Sequence, residues 1–295
     1  MSKGILSSVV ASCLFAVMYF YTSLMAPLDG EEIFAWRTLL TLPCLTLFML
    51  ATKDWKLVGS LLARVRQAPV LLLGMIGTSW LMGVQLWLFL WAPLHGRSLE
   101  VSMGYFLLPL AMVLTGRLVY GERLSRLQKI AVACAVLGVG HELYQNGSFA
   151  WETLVVTIGY PIYFVLRRRC GTDHLGGLWC DMCLLLPWAL YFVVQNPLTA
   201  ADLAEHPALY GLIPLLGAIS ASALIAYVLA SRLLPFSLFG LLSYVEPVLL
   251  VGVALLLGET IGPDQWLTYL PIWAAVLVLI LEGIKHLLRQ RRRSV

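Results

Sequence analysis

Catalytic signatures are missing from this chain: no H-E-x-x-H zinc motif, no G-x-S-x-G elbow and no phosphate-binding loop occurs in its 295 residues. His95, His141, His174, His206 and His286 are scattered over loops and predicted helix ends, so no triad or metal constellation gathers. The chain is therefore not expected to be an enzyme, and neither cofactor nor metal is expected. Charge is scarce too, at 12% of residues against about 25% in soluble domains, which excludes an ordinary globular protein. Six cysteines are present, mostly inside apolar stretches where a thiol acts as a small hydrophobe. Cys180 and Cys183 form a single C-x-x-C with no second pair and no histidine cluster nearby, so neither a zinc site nor a disulfide framework is implied.

What fills the chain is apolar: 60% of residues are hydrophobic and the mean hydropathy is +0.85. The expected class is all-α integral membrane. Reading apolar runs of about 20 residues as spans predicts ten transmembrane helices, near 4–26, 33–52, 69–91, 99–120, 126–145, 149–166, 177–195, 208–231, 236–258 and 265–287. The first run exceeds the apolar core of a signal peptide and nine more follow it, so it is read as a span.

Placing the N-terminus in the cytoplasm puts all but Arg37 and Arg97 of the 20 basic residues in or beside inside segments. The outer loops carry Asp29, Glu31, Glu142, Glu152, Asp202, Glu205 and Asp264. This asymmetry predicts that both termini face the cytoplasm. The basic tail "RQRRR" is then a topology anchor against the lipid bilayer, not a nucleic-acid site.

The chain also contains itself twice. "GYFLLPLAMVLTGRLVYGE" ends at Glu122 and "SYVEPVLLVGVALLLGE" ends at Glu259, each with a tyrosine before a proline, an apolar run and Gly-Glu. Arg37 precedes Pro43 by six residues, as Asp181 precedes Pro187. Two repeats follow, residues 1–146 and 147–295, each of five spans. An odd number turns the second copy upside down, the architecture of secondary carriers whose site lies between the halves.

Several residues are costly where they stand. Glu246, about ten residues into the ninth span, should avoid lipid and either face a polar cavity or pair with Arg37 to clamp the halves. Ser243 shares its face, and Pro247 frees a backbone carbonyl, which suits a cavity wall or a kink. Arg37 either holds a substrate carboxylate or snorkels to the interface. Asp181 is either a gate residue or a solvated boundary charge, the latter slightly favoured. Ser102, Tyr105 and Pro109 share one face of the fourth span, and Gln85 is a polar intrusion in the third; packing explains these nearly as well as binding. Trp87 and Trp91 suit an interfacial belt better than a ligand.

The segments "EEIFAWR", "HGRSLEVSMGYFLLPL" and "YVEPVLLVGVALLLGE" resemble the EamA-type permeases of the drug/metabolite transporter superfamily, specifically the RarD-like branch. The likeness covers nearly all ten spans and includes Glu32, Arg37, Phe89, Trp91, His95, Glu100, Ser102, Gly104, Tyr105, Pro109, Arg167, Arg168, Tyr244 and Pro247. It implies ten helices as two inverted five-helix EamA repeats around a central cavity, and a permease moving amino acids, metabolites or drugs by alternating access. The branch's nominal link to chloramphenicol does not define a substrate for this chain. Where the branch commonly has histidine, asparagine and glycine, this chain has Trp36, Leu108 and Glu246. The extra carboxylate points to an amine-bearing or amphiphilic substrate, with the proton a candidate coupling ion. An uncoupled, channel-like facilitator is the alternative, and oligomeric state is not legible.

Overall fold

The computed structural model describes residues 2–121, 125–146, 150–198, 200–234, 242 and 244–293. Among them the regular elements are all helical: α1 (Ser2–Tyr21), α2 (Gly30–Ala51), α3 (Lys56–Gln67), α4 (Val70–Leu94), α5 (Ser98–Tyr120), α6 (Arg126–Asn146), α7 (Trp151–Cys170), α8 (Leu175–Gln195), α9 (Ala200–Glu205), α10 (Leu209–Leu233), α11 (Val245–Leu256) and α12 (Trp266–Arg293). Among the described residues, six apolar segments are long enough to cross a bilayer: Lys3–Leu24, Gly30–Ala51, Val70–Leu94, Ser98–Tyr120, Leu175–Gln195 and Leu209–Ala230. Val245–Leu256 and Trp266–Val278 are shorter apolar stretches among the described residues. Leu118, Val70 and Leu256 are 82%, 77% and 77% exposed, an arrangement suited to hydrocarbon around the helices.

Helix ends follow local chemistry. The Asp29 carboxylate accepts from the Glu32 N–H at 2.9 Å while Glu32 accepts from the Asp29 N–H at 3.0 Å, a capping box that starts α2. Ser125 and Gln128 exchange the same pair of bonds ahead of α6. Gly121 ends α5 in the left-handed conformation, φ 68°, which a residue with a Cβ adopts at a cost. Two short helices fall in segments read as loops: α3 in 53–68 and α9 after α8. Both are below the length of a span, so a search for apolar runs passes over them.

Packing divides the chain into two compact units, Met1–Ser12 with Gly96–Pro161 and Leu229–Val295, and Cys13–His95 with Ile162–Val228. Each draws on residues from both sides of the 146/147 boundary. In the first unit α6 lies along α12 and α5 along α11. Met103, Phe106, Ala135, Val251 and Ile272 are buried between them. Gly104 lets α5 approach α7 closely: a Cβ there would come within 2.6 Å of the Val156 Cβ. In the second unit α8 packs on α2, α3 and α4, and in this unit Arg37, Arg167 and Asp181 are buried.

Candidate functional site

Arg37 projects from α2 and is 2% exposed, so it does not snorkel to a surface. Its Nε donates to the Ser220 Oγ of α10 at 2.9 Å. The guanidinium carbon lies 5.8 Å from the ring centroid of Phe89 on α4, at cation–π range. Phe89 meets Tyr19 at 4.8 Å and Phe15 at 6.1 Å, both on α1, and Phe15 meets Tyr227 of α10 at 6.3 Å. Gln85, one turn before Phe89 on α4, is also buried. Four helices of the second unit thus hold a fixed positive charge in aromatic surroundings, where a carboxylate would interact more strongly than in water.

Asp181 is likewise 2% exposed, so the solvated-boundary expectation fails. The sequence shows polar residues nearby but not that the fold gathers them on this carboxylate. Thr78 of α4 donates to Oδ1 at 2.7 Å, and the Tyr163 hydroxyl of α7 donates to Oδ2 at 3.3 Å. Arg167 stands 3.5 Å from Oδ2 and donates to the Tyr163 hydroxyl at 2.5 Å. The same guanidinium closes the α7–α8 turn, with Nε donating to the Thr172 carbonyl at 3.0 Å and Nη2 to the His174 carbonyl at 2.9 Å. Ser79 adds a bond to the Asp181 carbonyl at 2.8 Å. A charge out of water is tolerable only with a counter-charge and its lone pairs engaged, and both conditions are met here.

Arg37 and Asp181 stand in a reciprocal relation. Arg37, on the first half's α2, is held by a serine of the second half's α10; Asp181, on the second half's α8, is held by a threonine of the first half's α4. Each charge lies six residues before a proline inside its helix.

In the first unit the polar groups bond both within helices and between them. Ser102 donates to the Ser98 carbonyl at 2.7 Å, and the Tyr105 and Tyr160 hydroxyls are 3.0 Å apart. Pro109 is half-buried inside α5. Tyr244 is buried at the start of α11, half-buried Glu246 and buried Pro247 occupy its first turn, and Ser243 lies outside the described residues, as does Glu122. Glu259 does what the sequence left unassigned: its two carboxylate oxygens accept from the Ser98 and Leu99 N–H groups, each at 2.8 Å, capping α5 where no side chain of its own does so. Beside it Arg97 reaches Glu152 of α7 by two bonds of 2.6 and 2.9 Å and Glu100 at 2.9 Å. The hydrogen bonds that Arg97 donates to Glu152 raise its guanidinium above the ordinary value, so it stays charged.

Comparison with known proteins places this geometry. Residues 2–140 match the EamA-like transporter family. The chloramphenicol-sensitive protein RarD of Pseudomonas aeruginosa is 47% identical over 294 residues, covering 99% of this chain and 98% of that one. The chain belongs to the EamA transporter family. Its RarD-like character extends to the protein RarD of Escherichia coli, 26% identical over 99% of this chain and 97% of the relative. An uncharacterized transporter of Pasteurella multocida is 41% identical over 98% of this chain and 99% of its own length. A solved structure with a TM-score of 0.59 covers 96% of this chain and 98% of its own at 20% identity, which shows a shared fold alone. This EamA protein is accordingly a multi-pass membrane protein of a transporter family.

Of the residues singled out in its sequence, the fold brings Arg37, Gln85 and Asp181 into one unit and Ser102, Tyr105, Pro109, Tyr244, Glu246 and Pro247 into the other. Trp87 donates to Glu31 at 3.0 Å and Trp91 stacks on His95 at 4.0 Å, so both tryptophans are used in local contacts at one end of α4. Ser220, Thr78, Tyr163 and Tyr160 were not foreseen, because a hydroxyl inside an apolar run carries no mark of which helix it will meet. Glu259 did carry a signal, the Gly-Glu that recurs in both copies.

Proposed function

We propose that this chain is a secondary carrier of the bacterial inner membrane that moves a small metabolite by alternating access, with ten spans arranged as inverted repeats 1–146 and 147–295 and both termini in the cytoplasm. The reciprocal holding of Arg37 and Asp181 is the observation that carries the reading. A two-fold axis in the membrane plane exchanges the second span of one repeat with that of the other, and the third likewise. A contact between α2 and α10 then has its counterpart between α8 and α4, as the two charge–hydroxyl pairs have. Carriers of this kind convert such related contacts into opposite faces of one cycle.

In this reading the Arg37 guanidinium takes an anionic group of the substrate, with Gln85 beside it, and Glu246 takes an amine or a proton. Tyr105, Tyr244, Ser102 and Ser243 supply aromatic and hydroxyl contacts, while Asp181, Pro109 and Pro247 serve the conformational change. Amino acids and other amine-bearing or amphiphilic compounds fit this set.

The test begins with a ligand-stabilisation screen over amino acids, amines and aromatic metabolites, followed by counterflow in proteoliposomes with each hit. Saturable counterflow accelerated by substrate on the far side is expected. A single-channel conductance with no such acceleration would instead make the protein a facilitator.

A further inference from the structure

Between α2 and α4 the chain makes a short amphipathic helix whose outward side is exposed. α3 is pinned inward: Val58 and Leu61 are buried, and Leu57 sits so close to α8 that a Cβ on Gly176 would come within 2.9 Å of it. Arg64 donates to the Cys170 and Gly171 carbonyls at 2.8 and 3.0 Å, tying the end of α3 to the end of α7. Trp55 meets Trp179 of α8 edge to face at 5.0 Å. A surface helix held this firmly has a fixed outward face.

That face combines two chemistries. Trp55 and Leu62, seven residues apart and so on one stripe, are 37% and 49% exposed. Lys53, Lys56 and Arg66 are exposed around them, and the Arg64 bonds bring the exposed Arg168 and Arg169 of α7 to the same end of the unit. Asp54 and Asp173 are the acids of these segments, outnumbered by the cations.

We propose that this face binds an anionic phospholipid of the cytoplasmic leaflet, its phosphate at the Arg66 and Arg169 end of α3, its upper acyl chain along Leu62 and Trp55, and Lys56 adding positive charge at the other end of the helix. The proposal rests on the inner-membrane orientation put forward above. An apolar stripe flanked by cations matches a molecule that carries hydrocarbon and negative charge together, as interfacial helices do. Free phosphate would use the cations but leave Trp55 and Leu62 idle; a zwitterionic lipid would do the reverse. Because Arg64 and Trp55 grip the α7–α8 turn, the bound lipid also steadies the segment from which Arg167 reaches Asp181.

Native mass spectrometry of the purified protein with phosphatidylglycerol or phosphatidylcholine reads this directly. Retention of phosphatidylglycerol over phosphatidylcholine is expected, and the triple variant K56Q/R66Q/R169Q should weaken it by roughly fivefold per cation, as each basic group beside an anionic surface contributes. The variant R117Q/R126Q/K129Q removes the same charge from exposed positions of α5 and α6 and should leave retention intact. Equal retention of the two lipids, equal losses in the two variants, or displacement of the lipid by millimolar inorganic phosphate would overturn the assignment. Lipid retention does not require transport, so absence of counterflow in every lipid would count against the carrier reading alone.

Discussion

Replacing Arg167 by glutamine tests the buried charge cluster most directly. At 3.5 Å from the Asp181 oxygen, the guanidinium attracts it by about 5 kcal/mol at an effective dielectric of about 20, much of it offset by the cost of holding both ions out of water. Removing the cation alone leaves a carboxylate that is 2% exposed without its counter-charge, a loss of about 3–5 kcal/mol. The bonds from Arg167 to the Thr172 and His174 carbonyls disappear with it, adding about 1 kcal/mol or more each. Thermal unfolding in detergent, followed by tryptophan fluorescence, should show Tm falling by about 6 °C or more on the usual size scaling. Asp181→Asn should cost less, since Thr78 and Tyr163 can still bond the amide and Arg167 keeps its carbonyl partners. In the double variant the loss should be smaller than the sum of the two single losses by at least about 1 kcal/mol, because no buried ion is then stranded. A shift under about 2 °C for Arg167→Gln, or strictly additive losses, would show that Asp181 does not depend on this cation.

Glu259→Ala should uncap α5 and lower stability by about 1 kcal/mol, with Glu259→Gln recovering part of it as one acceptor is retained; equal Tm values for all three proteins would deny the cap. Arg37→Met should raise the half-saturating concentration of an acidic substrate by tenfold or more in counterflow, while Arg37→Lys, which keeps the charge and loses the planar donor set, should fall between; identical affinities would leave Arg37 structural. For Glu246→Gln the expected outcome is a changed affinity or a changed pH dependence of uptake, and finding neither removes Glu246 from the mechanism. Alkaline phosphatase fused after Val295 should be inactive if the C-terminus lies in the cytoplasm, whereas activity there would reverse the topology.

The contrast between α2 and α3 shows what a single sequence reveals. α2 is apolar over a full bilayer thickness, so its existence could be read from neighbouring residues, while its start at Gly30, three residues before the expected one, is set by the Asp29–Glu32 capping box. α3 has apolar positions for barely three turns, and its stability comes from Leu57, Val58 and Arg64 meeting α8 and the α7 end, which adjacent residues do not announce. Arg37 and Asp181 divide the same way. Their positions before Pro43 and Pro187 were visible as an echo between the halves, but burial, and with it the failure of the snorkelling and boundary expectations, depended on Ser220, Thr78 and Tyr163.

By itself the sequence determined the membrane-embedded helical class, the family, and the residues whose presence in an apolar chain needs a reason. Hydropathy and charge asymmetry are sums over neighbours, so they survive without a fold. The tertiary structure alone decided which hydroxyl holds which charge, that Glu259 closes the start of α5, and that α3 lies against α8. Such partners are brought together across as many as 183 positions of chain, and serines and threonines in apolar helices are too alike for any local pattern to pick one.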